Sequence, residues 1–390
     1  MHLCAVSFKE CWQDEAGAWY SDGGFPLQMA AIASLFDDAT ILVTRRETPG
    51  AGGLPLPPQA RVVPIRRPAG KDMRRKASVL AHLPYYLWII GSHVRRADVV
   101  HVPPPGDIPF IGMLVALGFR KRLIVRYCGS WATTARTTTM NRVTRALMRI
   151  CAGGRNVMLA TGEADHPPAP GVHWIFATAL TRNELQVTVP VRRAGLSNPP
   201  RLAFVGRLDP VKGLSNLVEA VAILAKQGHR PLPQIVLVGD GPQRRELGSR
   251  MDALGCRHLF HFTGQLDRCA LSDVLRSADL CVQPSLSESL AKAWLDAFAH
   301  GLPVLGTEVG AARRAIGRDG ERGWLVPPGD AAALAARIRQ VLTEPQDWSA
   351  MRRRCRAYAE DHTLEAWTHE IGRICAEQWG MRLVDGRLRS

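Results

Sequence analysis

The stretch Cys281–Gly310, CVQPSLSESLAKAWLDAFAHGLPVLGTEVG, decides how the chain is read. Leu280, Cys281 and Val282 form the end of an apolar strand that turns at Pro284. A Ser-rich loop carrying Glu288 follows. The spacing then predicts a helix from about Leu290 to His300, ended by Gly301 and Pro303. A short strand, Pro303 to Leu305, leads to a second glycine-bearing loop at Gly310. A strand feeding a helix through small residues aims backbone N–H groups and the positive helix end at one spot, which suits an anion such as phosphate. Glu288 before the helix and Asp296 inside it frame that spot.

This segment resembles the retaining nucleotide-sugar glycosyltransferases of family 4, the group of glycogen synthases and phosphatidylinositol mannosyltransferases, which have the GT-B fold. The matching residues are Pro284-Ser285, Glu288, Asp296, Gly301 and Pro303-Val304, with Asp in place of the second Glu of the family's pattern.

Upstream, RLAFVGRLDPVKG reads as a strand (Leu202–Val205), a loop (Gly206–Gly213) and the start of a helix (Leu214–Ala225). Arg207 supplies a rigid fork and Lys212 a point charge at the end of a strand. That pair suits a diphosphate whose charge grows as its bond to a sugar breaks. The plainer reading is a solvated loop with two surface cations. The family carries G-R-x(4)-K-G here, so the resemblance implies that Gly206, Arg207 and Lys212 hold the donor diphosphate.

The resemblance also implies donor contacts at Gly239 of the turn Gly239-Asp240-Gly241-Pro242, and at Gly264 of Phe262-Thr263-Gly264-Gln265, where the backbone meets the base. Glu288 is then expected beside the donor sugar, and Asp296 on the ribose hydroxyls. Ser289, Leu290 and Ala291 are expected to present backbone N–H groups. Glu288, Arg207 and Lys212 are the catalytic candidates. No D-x-D motif occurs, so Arg207 and Lys212 are expected to replace a metal ion, with no cofactor beyond the nucleoside diphosphate sugar.

The first half repeats the alternation of strand and helix: strands at His2–Phe8, Thr40–Val43, Arg61–Ile65, Asp98–Val102, Leu123–Tyr127, Asn156–Ala160 and His173–Phe176. A glycine turn at Gly23-Gly24 precedes a helix over Pro26–Phe36, and Val189–Pro200 reads as a linker. The alternation makes the expected fold class α/β, and the resemblance implies GT-B, two Rossmann-like domains facing each other across a cleft. Residues 1–198 form the acceptor-side domain and 199–362 the nucleotide-sugar domain, with a helix in 363–390 packing back toward the first.

The acceptor side is assigned to Gly23, Gly24, His101 and Cys128. The family's usual histidine at the end of a first-domain strand is replaced by Cys128, in Arg126-Tyr127-Cys128-Gly129. After Gly310, the family's second glycine and following Glu are Ala311 and Arg314. His101 is a substitute for the missing histidine or, as a His in an apolar strand, a structural residue.

The 390 residues carry a net charge of +15, and the excess is uneven: 24 Lys/Arg against 13 Asp/Glu in residues 1–198, and 26 against 22 in the remainder. Much of it flanks the apolar run VLAHLPYYLWIIG, with Lys71, Arg74, Arg75 and Lys76 before it and Arg95 and Arg96 after. Two readings stay open there: a lipid-facing amphipathic element with aromatics at headgroup level, and an internal helix with a solvated basic start.

Nine scattered cysteines with no C-x-x-C pair suggest neither a zinc site nor a disulfide framework, and point to a reduced, cytoplasmic protein. No signal peptide is read at MHLCAVSFKE and no apolar tract reaches the roughly 20 residues of a membrane span. The expectation is a glycosyltransferase acting on a glycan, a lipid-linked saccharide or a small molecule. Peripheral contact with the inner face of an anionic membrane is included, and no nucleic-acid partner. The alternatives are an inactive relative that binds glycan or protein, and a dinucleotide oxidoreductase, for which no G-x-G-x-x-G follows a strand with an acid about 20 residues on.

Overall fold

The computed structural model describes residues 1–50, 53–70, 72–131, 133, 137–191, 195–288 and 291–389. The chain divides into two compact units, Met1–Ala179 with Leu364–Ser390, and Leu180–Thr363. The division falls at Ala179/Leu180 rather than after residue 198. The physical reason is local: Val191 N–H donates to the His300 carbonyl at 2.8 Å, and Arg356 donates to the Leu185 and Thr188 carbonyls. The stretch read as the end of the first domain is thus tied to the second unit. Arg192, Arg193 and Ala194 of the expected linker lie outside the described residues.

In the first unit, β1 (His2–Gln13), β2 (Trp19–Ser21), β3 (Asp38–Arg45), β4 (Leu54–Pro55), β5 (Arg61–Ile65), β6 (Val99–Val102), β7 (Arg122–Tyr127), β8 (Asn156–Thr161) and β9 (Val172–Ile175) share one sheet. Its parallel strands run in the order β5-β3-β1-β6-β7-β8-β9. Leu3, Cys4, Ala5 and Val6 are all buried, the continuous apolar run expected of a strand covered on both faces.

β1 continues through a register shift between Val6 and Glu10, and its end pairs antiparallel with β2. The turn at Gly23-Gly24 therefore follows this hairpin rather than the first strand directly. Leu364, Trp367, Ile371 and Cys375 of the helix Leu364–Trp379 enter one of the unit's cores, beside Leu3, Ile41 and Ile124. The run expected as one element at Ala69–Arg96 is two helices, Asp72–Ala81 and Leu83–Arg96, broken around His82 with Pro84 in the first turn of the second.

The second unit is built on β10 (Arg201–Val205), β11 (Gln234–Val238), β12 (Phe260–Gly264), β13 (Leu280–Gln283), β14 (Val304–Thr307) and β15 (Gly323–Val326), all parallel. Their spatial order is β12-β11-β10-β13-β14-β15, the 3-2-1-4-5-6 arrangement of a dinucleotide-binding sheet. Leu202, Phe204, Leu217, Leu237, Leu280 and Trp324 anchor its core. A short helix, Arg182–Val187, which the sequence did not signal, opens the unit with Thr181 as its N-cap.

Candidate functional site

In a sheet of this order the chain leaves β10 and β13 in opposite senses, and ligands collect at the carboxyl ends of those two strands. The loop after β10 carries Arg207 and Lys212, and the loop after β13 carries Glu288. Both read from sequence as site residues, Lys212 and Glu288 form a direct ion pair between the loops. Each side chain is largely withdrawn from solvent, whereas Arg207 is exposed and reaches Asp209 only loosely, at 4.0 Å. One cation is therefore held in place while the other remains movable.

Backbone contacts fix the junction. Leu286 N–H donates to the Val211 carbonyl at 2.7 Å, and Gln283 Nε2 donates to the Val205 carbonyl at 2.9 Å. Gly213 sits at φ +66 against the Pro284 carbonyl, where a Cβ would overlap that oxygen. Gly239, at φ +126, lies as closely on the Gly206 carbonyl, and its N–H donates to Gly264 at 2.8 Å. Gly239, one of the glycines assigned to the donor, thus serves first to bring the loops after β10, β11 and β12 together. At such approaches only a residue without a side chain fits.

Ala291 is the N-cap residue of the helix Lys292–Ala299, and its own side chain makes no capping hydrogen bond. Ser289 and Leu290 lie outside the described residues. Asp296 lies within the helix, and its carboxylate accepts from Arg268 Nη1 at 3.0 Å. Arg268 also pairs with Glu184 of the short opening helix, and the two carboxylates together hold its guanidinium above its ordinary pKa against the opposing effect of burial. The sequence reading missed this arginine. Nothing in the run LDRCA distinguishes a residue that clamps a remote helix from an ordinary surface cation. Gln283 was also missed; it and the motif residue Ser285 are buried, and among the described residues Gln283 Oε1 and Ser285 Oγ have no hydrogen-bond partner.

Beside the Gly239–Gly264 turn, Asp240, Pro242, Arg244, Arg245, Arg257 and Phe262 line an open depression of about 470 Å³. Arg244 and Arg257 both lie over the Phe262 ring, at 5.2 and 5.3 Å.

In the first unit, Gly23 adopts φ +72 and Gly24 begins the helix Phe25–Ala33. Cys128 follows β7 at the carboxyl end of its sheet, exposed, with its N–H donating to the Pro104 carbonyl at 2.6 Å. His101 does not belong with them. It is fully buried in β6 with Nδ1 on the Ile124 carbonyl at 3.2 Å, and burial, aided by the Arg126 charge, lowers its pKa to about 3. Every residue of β6 is buried, so both faces of the strand are covered, and His101 is a structural residue rather than a substitute for the missing histidine. Among the described residues, no group of three or more His, Cys, Asp or Glu is arranged to hold a metal ion. No helix there is long and apolar enough to cross a membrane.

Two Rossmann-like α/β units define a GT-B protein, and solved structures agree. A sucrose-phosphate synthase from Thermosynechococcus elongatus superposes with a TM-score of 0.73 over 97% of this chain and 99% of its own, at 19% identity. The sequence matches the family described as glycosyl transferases group 1 over residues 192–362, so the second unit is a glycosyltransferase group 1 domain. A D-inositol 3-phosphate glycosyltransferase from Jonesia denitrificans is 31% identical over 220 residues, 54% of this chain and 50% of that protein. A phosphatidyl-myo-inositol mannosyltransferase from Mycobacterium leprae is 34% identical over 176 residues, 42% of this chain and 46% of that protein. The chain thus spans about half the length of the curated relatives it matches.

Proposed function

We propose that the protein is a retaining glycosyltransferase that moves a sugar from a nucleoside diphosphate sugar to a hydroxyl acceptor, such as a glycan, a lipid-linked saccharide or a small molecule. The observation that carries this reading is the meeting of Lys212 and Glu288 at the crossing of the loops after β10 and β13, inside the group 1 domain. The bond from the anomeric carbon to the diphosphate oxygen breaks, and the leaving oxygen takes up its electron pair. Lys212 sits at that end of the sheet and Arg207 on the same loop, so both offset the charge that develops. The acceptor oxygen bonds to the same face of the sugar, and its proton passes to the departing phosphate. Glu288 lies beside the sugar and holds Lys212 in position until the diphosphate arrives. Asp296, steadied by Arg268, accepts from the ribose. Gly23, Gly24 and Cys128 serve the acceptor.

No metal ion and no cofactor is assigned a role in this reading. The basic helices of the first unit add peripheral contact with an anionic membrane, at its cytoplasmic face. The test is a panel of nucleotide sugars, read by thermal shift and by turnover, with the anomeric configuration of the product determined. One nucleoside diphosphate sugar is expected to raise the melting temperature and turn over with retention, with or without EDTA. Binding without turnover would mean an inactive relative that binds glycan or protein. Stabilisation by NAD alone would mean an oxidoreductase, and strict dependence on Mg2+ or Mn2+ would remove the metal-free scheme.

A further inference from the structure

The helix Leu83–Arg96 is apolar on two faces. Tyr86, Ile90 and Val94, four residues apart, are buried in a core of the first unit with Val6, Val102 and Ile108. The opposite face presents Leu87, Trp88, Gly91 and Ser92 outward, ending at Arg95. The neighbouring helix Asp107–Gly118 packs against it and adds Leu114, Val115 and Gly118, followed by Phe119. Between the two helices runs a groove of about 570 Å³, lined by Leu87, Trp88, Val115 and Phe119 with Arg95 at its end. Trp88 is 67% exposed and Phe119 48%. A contiguous exposed apolar surface of this kind marks a site that something covers.

The charge around it says what. Residues 71–122 carry nine Lys/Arg and three Asp/Glu. Two of those acids are engaged, Asp107 with Arg75 at 2.7 Å and Asp98 with the His2 N–H at 2.7 Å. Arg95, Arg96 and Arg120 are exposed at the edge of the apolar strip, and Lys121 Nζ donates to the Arg95 carbonyl at 2.8 Å. An apolar strip with an outward tryptophan, flanked by cations, matches the boundary between acyl chains and anionic headgroups.

We propose that this face inserts into an anionic phospholipid leaflet, with Leu87, Trp88, Leu114 and Phe119 at the acyl boundary and Arg95, Arg96 and Arg120 on the phosphates. The proposal rests on the reading of peripheral membrane contact and names its surface and depth. It enlarges the sequence's expectation, because half of the strip comes from the helix Asp107–Gly118, which the composition of Lys71–Arg96 did not include.

The test uses the full chain with vesicles of phosphatidylcholine alone or mixed with phosphatidylglycerol, with and without brominated acyl chains. Anionic vesicles are expected to bind the protein, Phe119→Ser to lower the partition coefficient about tenfold, and brominated chains to quench emission that disappears in Trp88→Phe. Trp88→Phe keeps an aromatic in place, so its readout stands even if Phe119→Ser folds poorly. Adsorption to anionic vesicles without Trp88 quenching, and unchanged in Phe119→Ser, would overturn insertion while leaving electrostatic contact standing. No adsorption at low salt would overturn the membrane reading itself. A dimer lost on Phe119→Ser would show that a second copy covers the groove, and would also overturn the proposal.

Discussion

Among the described residues, the Lys212 ammonium pairs with Glu288 across the two loops and not with the core, so its replacement tests the site with little cost to the core. Lys212→Ala removes the one fixed cation at the end of β10. Turnover is expected to fall by about 10²–10³, the loss typical when a donor to a developing anion is deleted, while the melting temperature moves by a few degrees at most. Normal turnover in both Lys212→Ala and Arg207→Ala would overturn the diphosphate assignment. His101 makes the opposite kind of prediction. Its folded pKa of about 3 lies below the ordinary 6.5, so the unfolded chain binds a proton there that the folded chain refuses. The stability this contributes is complete above pH 6.5 and is lost as pH falls toward 3. Between pH 7 and pH 5 the loss is about 2 kcal/mol. Chemical denaturation at the two pH values should show that extra slope in the wild type and not in His101→Gln, and equal slopes would mean that His101 is accessible to water.

The loops that meet at the site depend on backbone approach more than on side chains. Gly213 and Gly228 have similar positive φ values, +66 and +71, yet a Cβ at Gly213 would overlap the Pro284 carbonyl and one at Gly228 would meet open space. Gly228→Ala therefore measures backbone strain alone, about 1 kcal/mol, whereas Gly213→Ala is expected to cost about 2 kcal/mol or more and to lower turnover by displacing Lys212 from Glu288. Equal melting temperatures for the two variants would show that the loops yield freely. The same contrast explains what the sequence made legible. Parallel strands covered on both faces leave unbroken apolar runs such as Leu202–Val205, and the strand–loop–helix spacing around Lys212 and Glu288 carries its chemistry in residue types, so both were readable. The Arg268–Asp296–Glu184 clamp joins residues more than a hundred positions apart through side chains with no local period. The hairpin of β1 with β2 was hidden because β1 continues beyond its parallel pairing, and both readings of His101 stayed open because an apolar strand's sequence does not show whether both of its faces are covered.

The chain crosses from its first unit to its second and returns, so residues far apart in sequence complete a single core. Trp367, Ile371 and Cys375 are fully buried, and Leu364, Ile374 and Leu388 nearly so, in a cluster with Met29, Ile32 and Leu35. At about 1.5–3 kcal/mol for each large buried side chain, their removal costs on the order of 10 kcal/mol. That equals the whole stability of a typical domain. The second unit has its own core, from Leu202 to Met351, whose buried members all lie within Leu180–Thr363. Calorimetry of the full chain is therefore expected to resolve two transitions, of which only the one belonging to the second unit rises with a saturating nucleoside diphosphate. Deleting residues 364–390 should abolish or sharply lower the other transition and leave the nucleotide-sensitive one within a few degrees. Loss of both transitions together would show that the second unit does not hold its fold without the first. A nucleotide shift confined to the deleted protein's missing transition would place the nucleotide in the first unit, against the crossing of Lys212 and Glu288.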